Sequence, residues 1–501
     1  MTYNRQSQHS PPDDSHLPLH IKNVPRCDWP SLLLLVTDDD QKQRLTSLIA
    51  ICTSPSTFMR QTVPKPRQAS LTEDDVAKLV AAGYVAQIPF DTATKSTVDV
   101  FTTTEHASNG RRRRVIFWPT EVNFSLTWTG EPVFPTVEEQ LEAIAESGAE
   151  LLDAPAFYTQ FTGSADEGEF CFYHGPRKYR CLTVATGQRQ VPALAQQILS
   201  ILTQGDTHAA PEVTHVTRYI DNVRFAGEKG TAELRSRRFR DRAETAGFAF
   251  DVTSEWSENY TFLGISYDHK LKHVRLGEKA VQKLTKWLQR LNHDWTTWSL
   301  QTFLSLLGLL VWGARVLDIP LANYYWVFKY LRRRARKCHS HKDLDENANI
   351  WPSIIRPLQQ WTSSCSTTIR PMTPWLLRRE HVHTAVVYTD ACLTGWGVYI
   401  FHRGRIWVYS GRFNHYEPIH VLEARALLRG CLMVLAVISP GTHVQFRVDN
   451  TTVIHTMERG HSRSWSLNKV LTAIIEATRT ISYEIRYVNS SNNLADKPSR
   501  N

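Results

Sequence analysis

Cysteine is scarce in this sequence, and the cysteines that are present stand far apart. Eight are spread over 501 residues, with no Cys-x-x-Cys pair and no Cys/His pair at the spacing of a zinc site. Small disulfide-stabilised domains carry a denser, paired set. The distribution therefore predicts a protein of a reducing compartment, without structural zinc.

Long apolar runs are also lacking. The N-terminal stretch MTYNRQSQHSPPDDS (1–15) is polar and has no apolar core of a signal peptide. The longest apolar stretch, FLSLLGLLVWGA (303–314), is too short to cross a bilayer and is followed by Arg315. We therefore expect a protein of the nucleus or the cytoplasm that is not secreted and has no membrane partner.

The sequence does contain enough apolar residues for several folded cores. Apolar residues make up 42% of the chain and aromatic residues 10%, and the length fits about two to four domains. There are 58 lysines and arginines against 49 aspartates and glutamates, a net charge of +9. The runs RRRR (111–114) and LRRRARK (331–337) concentrate this excess, which fits either an anionic partner such as nucleic acid or solvated faces.

Composition and periodicity divide the chain into segments. Residues 1–70 are mostly polar and rich in Ser and Pro, which indicates a partly ordered extension. Between residues 95 and 265, short β-like runs alternate with helical ones, which is typical of an α+β domain. Residues 277–335 are helical in pattern, and 338–380 have the composition of a connection. From residue 383, β-like runs with Gly turns return and are followed by helical patterns.

One helix start is marked by a predicted cap. In SLTEDDVAKLVAAGYV (70–85), Ser70 is followed three residues later by Glu73 and then by apolar residues at helical spacing. This pattern is that of a capping box. It predicts a helix whose N-cap is Ser70.

Two aspartates stand at the ends of predicted strands in the α+β segment. In GAELLDAPAFYTQF (148–161), an apolar run leads into Asp153 and a turn-prone Ala-Pro pair. In THVTRYIDNVRFAGEKG (214–230), two alternating runs form a hairpin with Asp221 at its tip and Asn222 beside it. A lone aspartate is more often a cap or turn residue than a metal ligand. The residues by themselves leave open whether the two meet.

Four further acids near the C-terminus stand in distinctive contexts. Asp390 lies on a predicted strand before a Gly turn, and Glu423 lies in a helical pattern. Asp449 ends an alternating strand before a helix, and Asp496 lies at the start of a short helix. Each alone could be a surface acid or a cap, but four in this order and these contexts favour a shared site.

The stretches around Asp153 and Asp221 resemble the palm of retroelement reverse transcriptases. The resemblance implies that both aspartates are catalytic metal ligands and that Tyr158 is the gate that excludes a ribose 2′-hydroxyl. It also implies that Tyr219 opens the Tyr-x-Asp-Asp hairpin, in which Asn222 replaces the second acid. An amide can coordinate or hydrogen-bond but carries no negative charge. Since the family's second acid is the less demanding one, a working but altered polymerase is favoured over an inactive one.

Further stretches fit the same family. TGQRQVP (186–192) resembles the loop that contacts template and nucleotide, which implies substrate contacts for Gly187 and Gln188. NGRRRRVIFWPTEVN (109–123) resembles the fingers strand in which an arginine touches the triphosphate. Spacing favours Arg114 for that role, although the four adjacent arginines leave the choice open.

The four C-terminal acids resemble the Asp–Glu–Asp–Asp set of ribonuclease H, the domain that follows the polymerase in retroelements. The resemblance implies that Asp390 and Asp449 hold metal ions from adjacent strands, with Glu423 and Asp496 flanking them. Both sites would use two Mg²⁺ ions roughly 3.5–4 Å apart, with Mn²⁺ as the alternative, because such ions prefer carboxylate, phosphate and water oxygens. None of these four acids is substituted.

The implied fold is an α+β multidomain chain: a right-hand polymerase of fingers, palm and thumb, followed by an α/β ribonuclease H-like domain. The predicted division is an N-terminal extension (1–69), fingers and palm (70–265), a helical thumb (266–337), a connection (338–380) and the ribonuclease H-like domain (381–501).

The implied function is RNA-directed DNA synthesis with removal of the copied RNA. The partners would be an RNA template, a DNA primer, an RNA–DNA hybrid and deoxynucleoside triphosphates. The YIDN motif, without protease or integrase zinc motifs, most resembles DIRS-like tyrosine-recombinase retroelements, the VIPER type of trypanosomatids in particular. A recombinase or capsid-like protein of the element would be a further partner. Two alternatives stay open: a domesticated or decayed nucleic-acid-binding scaffold, and a ribonuclease H with a non-catalytic palm.

Overall fold

The computed structural model describes residues 14–59, 63–107, 110–126, 133–142, 148–204, 214–372, 384–414, 416–439, 442–479 and 481–500. The chain divides into two compact units. The first combines Met1–Pro135 with Gly148–Ser257, and the second combines Thr136–Ser147 with Glu258–Asn501. The predicted boundaries between fingers, palm, thumb and connection stay predictions.

The α-helices of the described residues are numbered in chain order. They are α1 (Trp29–Leu34), α2 (Asp39–Thr53), α3 (Glu73–Ala81), α4 (Thr120–Ser125), α5 (Val137–Glu142), α6 (Val191–Thr203), α7 (Lys229–Thr245), α8 (Glu278–His293), α9 (Leu300–Leu317), α10 (Tyr325–Ala335), α11 (Pro352–Thr367), α12 (Ile419–Leu435), α13 (Thr451–Arg459), α14 (Trp465–Thr478) and α15 (Asp496–Ser499).

The strands are numbered in the same way. They are β1 (Val85–Ile88), β2 (Asp99–Ala107), β3 (Gly110–Trp118), β4 (Ala149–Asp153), β5 (Cys171–His174), β6 (Arg177–Cys181), β7 (Thr214–Tyr219), β8 (Asn222–Gly227), β9 (Asp251–Ser257), β10 (Asn259–Phe262), β11 (Ile265–Asp268), β12 (His273–Leu276), β13 (Arg370–Pro371), β14 (Thr384–Ala391), β15 (Gly395–His402), β16 (Arg405–Arg412), β17 (His443–Val448) and β18 (Ser482–Tyr487).

The first unit contains a four-stranded sheet of order β7-β8-β4-β9, a three-stranded sheet of order β1-β6-β5 and the hairpin β2-β3. Helix α7 packs on β4 and β8, and α6 packs on β7 and α7. Their apolar faces share one core, in which Leu152, Ile198 and Phe225 are almost fully buried. Burial of this face holds the central strand β4 in place, with Asp153 as its last residue.

The predicted N-terminal extension is built into the first unit over its described part. Residues 14–28 run beside β3, where the His20 amide donates to the Arg113 carbonyl at 2.7 Å and the Arg113 amide donates to Pro18 at 2.9 Å. Leu45 and Leu48 of α2 are buried in the same core as the sheet. Although this segment is mostly polar, its few apolar residues therefore contribute to the core of the first unit.

Helix α3 begins two residues later than predicted. Its N-cap is Thr72, whose side chain accepts from the Asp75 amide, while the Thr72 amide donates to the Asp75 carboxylate. Ser70 instead donates its backbone amide to the Val100 carbonyl at 2.8 Å. The prediction of a Ser70 cap was wrong because pairing with the hairpin β2-β3 holds Ser70 in extended backbone, whereas Thr72 offers an equivalent reciprocal cap.

The N-terminal part of the second unit combines a four-stranded sheet of order β10-β11-β12-β13 with helices α8, α9 and α11. Among the described residues, α9 is the helix whose length and composition would allow it to cross a membrane, and half of it is buried inside the protein. A single helix of this kind is weak evidence, since core helices of soluble proteins pass the same test. It contacts α5, α11 and β12.

The C-terminal part of the second unit is a five-stranded sheet of order β16-β15-β14-β17-β18. Strand β14 pairs antiparallel with β15 and parallel with β17, and β17 pairs parallel with β18. Helix α12 packs across β14 and β15, and α14 packs on α12. Strands β14 and β17 therefore end side by side at the same end of the sheet, and α12 packs against β14.

Candidate active sites

Asp153 and Asp221 meet at one end of the four-stranded sheet β7-β8-β4-β9. Asp153 ends β4, and its register partner on β8 is Asn222, the residue that follows Asp221. The Ala154 amide donates to the Asp221 carbonyl at 2.8 Å. Strand pairing therefore places both aspartates at the same sheet end, and both line one cleft.

The turn that carries Asp221 is held by a residue of α6. Ile220 has a φ of 55°, a left-handed conformation that is unusual for a β-branched residue. Its amide donates to Gln196 Oε1 at 2.8 Å, and Gln196 Nε2 donates to the Arg218 carbonyl at 3.2 Å. These bonds offset the strain of the turn and fix the position of Asp221.

Asn222 and Asp251 flank Asp153 on the two neighbouring strands. Asn222 Nδ2 donates to Asp221 Oδ1 at 2.6 Å, so the amide orients that carboxylate. Asp251 is the register partner of Asp153 on β9. Directly opposed residues of antiparallel strands share a face. A third carboxylate therefore stands beside Asp153, on the side away from Asn222.

Asp153 is electrostatically poised. Burial raises the pKa of its carboxyl above the usual range, and the nearby charges of Asp221 and Asp251 raise it further. The charge of Lys22 opposes this effect. A group in this position favours bound cations, since they stabilise its charged form.

The cleft around these aspartates has a volume of about 270 Å³. Its lining includes Asp153, Asp221, Tyr158, Arg112 and Arg114. Successive side chains of a strand alternate between its faces. Arg113 accordingly points away from the cleft and forms a buried bidentate salt bridge with Asp75, with hydrogen bonds of 2.7 and 2.8 Å. Of the four adjacent arginines, those at 112 and 114 line the cleft, and the triphosphate contact of Arg114 stays a prediction.

The other predicted substrate contacts are Tyr158, Gly187, Gln188 and Tyr219, and of these Tyr158 lines the cleft. Burial raises the pKa of Tyr158, which lines the cleft and packs against Phe161. A side chain at Gly187 would collide with Trp118, so the loop needs glycine to approach the end of β3. Gln188 is buried and donates to the Ile51 carbonyl at 2.9 Å. Tyr219 stacks at a tilt on Phe134.

Among the residues that the structure describes, Gly187, Gln188 and Tyr219 do not line this cleft. Their expected substrate contacts, like the catalytic roles of the other residues, stay predictions. Sequence reasoning missed His20 and Lys22, which do line the cleft. Both belong to the polar segment taken for an extension, where no periodic pattern could indicate them.

Three of the four C-terminal acids form a compact carboxylate group. Asp390 lies on β14, Glu423 on α12, and Asp449 directly after β17. One carboxylate oxygen from each lies within 4.8 Å of the others. The parallel pairing of β14 with β17 sets the two aspartates side by side, and α12 brings the glutamate over them.

Like charges and burial dominate this second site. Burial, and then the charges of Asp449 and Asp390, raise the pKa of Glu423 to about 9. Burial, together with Asp449 and Asp496, raises the pKa of Asp390 to about 6 against a hydrogen bond from Ser499. Among the described residues, no group donates a hydrogen bond to the buried Glu423 Oε2. A hard divalent cation would satisfy that oxygen, and an all-oxygen donor set suits Mg²⁺ or Mn²⁺.

The fourth predicted acid stands slightly apart. Asp496 is partly exposed, and its Oδ1 accepts from Arg500 at 2.7 Å. Its charge nevertheless reaches Asp390. Asp390 Oδ2 also accepts from the Ser499 hydroxyl at 2.5 Å, and Asp390 Oδ1 accepts from Asn493 at 3.4 Å. Sequence reasoning missed these two donors, which lie within three residues of Asp496.

Comparison with known proteins supports the fold. Residues 365–501 match the family model described as DNA polymerase (viral) C-terminal domain. No curated protein matches the chain. Among solved structures, the chain is similar to a foamy viral protease-reverse transcriptase dRH in complex with double-stranded DNA, at 13% identity and a TM-score of 0.52, covering 94% of this chain and 83% of that one.

Two further structures of the foamy viral protease-reverse transcriptase agree. The complex with an RNA/DNA hybrid has 14% identity and a TM-score of 0.50, covering 92% of this chain and 62% of that one. A complex with double-stranded DNA has 13% identity and a TM-score of 0.50, covering 94% of this chain and 99% of that one. At this identity the likeness shows the fold alone. The predicted fold class is confirmed: a mixed α+β multidomain chain with a reverse-transcriptase-like fold over most of its length.

Proposed function

We propose that the chain is an RNA-directed DNA polymerase that also cleaves the RNA strand of the hybrid it makes. The observation that carries this proposal is the presence of two separate carboxylate groups, one in each unit. Asp153 and Asp221 share a cleft with two arginines, and Asp390, Glu423 and Asp449 form the second group. Each group suits the oxygen-rich chemistry of phosphoryl transfer.

In the first site, the chain's residues would position a primer end and a nucleotide. Asp153 and Asp221 are at the sheet end and would hold the metal ions, while Asn222 orients Asp221. Arg112 and Arg114 face them from β3 and would attract phosphate. Two Mg²⁺ ions, when bound, would stabilise the attacking and leaving oxygens. Tyr158 lines the same cleft as Asp221 and would bound the space around the sugar.

In the second site, Asp390, Glu423 and Asp449 would hold the ions beside the scissile phosphate. Their raised pKa values mean that this carboxylate group gains most when cations replace protons. Asp496 would flank the ions, and Ser499 would orient Asp390. Recognition of the hybrid would rest on its A-like shape and 2′-hydroxyls.

The partners follow from this function. They are an RNA template, a DNA primer, the hybrid and deoxynucleoside triphosphates. Similar solved proteins are described in complex with double-stranded DNA and with an RNA/DNA hybrid, which supports nucleic acid as the partner here. A DIRS-like, VIPER-type retroelement as the source, and a recombinase or capsid-like protein of the element as a further partner, are part of the proposal. So is a nuclear or cytoplasmic location.

The test is a crossed pair of variants in two assays. Mg²⁺-dependent primer extension on an RNA template measures the first site, and cleavage of labelled RNA in a hybrid measures the second. We expect Asp153→Asn to abolish extension and leave cleavage intact, and Asp449→Asn to do the reverse. Asp74→Asn on the exposed face of α3 is the matched control, and it should leave both activities unchanged.

One alternative has an observation of its own. Asn222 removes a negative charge from the palm hairpin, which would suit a nuclease whose palm only holds the hybrid. In that case the wild-type chain would cleave the hybrid in Mg²⁺ or Mn²⁺ but incorporate no nucleotide, and Asp153→Asn would change nothing. That pair of results would reject the polymerase half of the proposal and keep the nuclease half.

A further inference from the structure

The N-terminal residues 14–28, here called the strap, reach the candidate polymerase cleft. The strap pairs with β3 through backbone bonds on both sides of Leu19. It then contributes the side chains of His20 and Lys22 to the lining of the cleft. Both residues lie in a segment that no feature of the sequence connects with catalysis.

The backbone of Lys22 is fixed by contacts with the body of the first unit. The Tyr84 hydroxyl donates to the Lys22 carbonyl at 2.9 Å, and Arg26 donates to the Gly83 carbonyl at 2.9 Å. The same Tyr84 hydroxyl accepts from Thr159 at 3.3 Å. Thr159 lies in the short 3-10 turn that follows Asp153. Lys22 is therefore tied, through Tyr84, to the segment that follows Asp153.

The cleft is lined by groups of both charges. Asp153 and Asp221 are the aspartates of its lining, and Lys22, Arg112 and Arg114 line the same space. Arg112 is committed to Glu105, to which its Nε donates at 2.6 Å. Within the part of the chain that the structure describes, no carboxylate lies within ion-pair distance of the Lys22 ammonium. Lys22 is thus a cation of the cleft wall whose charge is available to a ligand.

These groups, which line one cleft, also act on one another electrostatically. Burial lowers the pKa of His20, and the charges of Arg112, Lys22 and Arg114 contribute to this shift. Lys22 also acts on Asp153. One lysine therefore lies within electrostatic range of both the cationic wall and the catalytic carboxylates. An anion that bridges metal ions at Asp153 and cations at β3 would pass beside it.

We propose that Lys22 binds the triphosphate of the incoming nucleotide, so that the strap forms part of the nucleotide site. This inference rests on the proposed polymerase function. An ammonium group is a compact donor that suits phosphate oxygens. The alternative is that Lys22 only balances the charge of Asp153. The two differ in what is lost on mutation: nucleotide affinity in the first case, and metal dependence in the second.

The experiment compares Lys22→Ala and Lys22→Arg with the wild-type chain. Lys42→Ala, at an exposed position of α2, is the control that removes the same charge elsewhere. Binding of the next correct nucleotide is measured on a primer–template whose primer ends in a dideoxynucleotide, so that no turnover is needed. Extension kinetics, inhibition by pyrophosphate, hybrid cleavage and the unfolding temperature are measured in parallel.

We expect Lys22→Ala to weaken nucleotide binding and raise its KM by about 10- to 100-fold, as loss of a charged phosphate contact does. Inhibition by pyrophosphate should weaken with it, and Lys22→Arg should restore most of the affinity. Hybrid cleavage and the unfolding temperature should not change, because the side chain is exposed. Lys42→Ala should match the wild type throughout.

Unchanged nucleotide affinity in Lys22→Ala, with extension by the wild type intact, would overturn the assignment. So would a variant whose only change is a lower Mg²⁺ requirement, since loss of a cation beside Asp153 strengthens the attraction of that carboxylate for Mg²⁺ and would make Lys22 a charge partner of Asp153. Nucleotide binding without extension by the wild type would reject the polymerase function alone, and a loss of that binding in Lys22→Ala would still support this inference. A wild type that neither binds nucleotide nor extends a primer would reject both.

Discussion

The two candidate active sites balance their negative charge in different ways. In the first unit, Asp153 and Asp221 share a cleft with Lys22 and Arg114, and an amide occupies the neighbouring position on the hairpin. In the second unit, three carboxylates converge within 4.8 Å. Arg500, whose charge reaches Asp390, forms its ion pair with Asp496.

This difference teaches where each site obtains its affinity for metal ions. The first site is already partly compensated, so an acid that flanks the proposed metal ligands contributes less and its loss should have a graded effect. The second site concentrates charge in a buried position, which is costly unless a cation is bound. Its acids should therefore act as one unit, and the loss of any one should be severe. The predictions below test this contrast, beginning with the largest effect.

Removal of one acid from the second site should eliminate its activity. We expect Glu423→Gln to reduce hybrid cleavage by about 10³-fold or more, equivalent to roughly 4 kcal/mol of lost transition-state stabilisation. Primer extension should be unchanged. Glu476→Gln, at an exposed position of α14, is the control in the cleavage assay. A loss below tenfold would contradict the view that the three acids act together.

Removal of the hydroxyl that orients Asp390 should have a smaller effect. Ser499 donates to Asp390 Oδ2 at 2.5 Å, and such supporting bonds to metal ligands are worth about 10- to 100-fold. We expect Ser499→Ala to raise the Mg²⁺ concentration that half-saturates cleavage by about this factor. Ser366→Ala, which removes an intrahelical bond in α11, is the control. Equal Mg²⁺ curves for both variants would show that the serine is not needed.

Removal of a neighbouring acid from the first site should be tolerated. We expect Asp251→Asn to slow extension by about three- to tenfold, or roughly 0.7–1.4 kcal/mol. Asn222→Asp should restore part of this loss in the double variant, because it returns a carboxylate to the other side of Asp153. Measurement of all four rates as a double-mutant cycle tests the coupling. Additive effects would show that residues 251 and 222 influence the rate of extension independently.

The smallest expected effect is on stability. The pKa of Glu423 is raised from 4.5 to about 9, so the stability it contributes is full below its unfolded pKa and is lost as pH rises through its folded pKa. In chelator, the unfolding temperature of the wild type relative to Glu423→Gln should fall by several degrees between about pH 5 and pH 9. Mg²⁺ should remove this decline. A difference in unfolding temperature that does not change with pH would mean that the pKa of Glu423 is not raised in the folded protein.

Much of the fold followed from local pattern. The alternating runs around Tyr219 and Asn222 are strands, with Asp221 in the turn between them, and Asp153 ends its strand. Helix α6 opens beside Pro192, where proline suits the first turn. The four C-terminal acids stand on a strand, on a helix, after a strand and at a helix start, as expected. These features depend on neighbouring residues, and periodicity records them.

Other features could not be predicted because distant contacts decide them. Ser70 loses its capping role to Thr72, since the hairpin draws it into extended backbone. Alternation along β3 separates Arg113 from Arg112 and Arg114, but only packing against Asp75 shows which face is buried. Asp251 becomes a neighbour of Asp153 through the pairing of β9 with β4, and nothing local indicates that pairing.

The sequence by itself determined the kinds of chemistry that this protein can host: acids at strand ends and helix starts, arginines on a strand, and an amide where an acid would be expected. Only the tertiary structure decided which of these groups meet, because strand order and helix packing depend on burial summed over a whole unit. Lys22 is the clearest case. Its side chain belongs to the cleft because the strap pairs with β3, a contact whose energy lies in backbone bonds that any sequence could make.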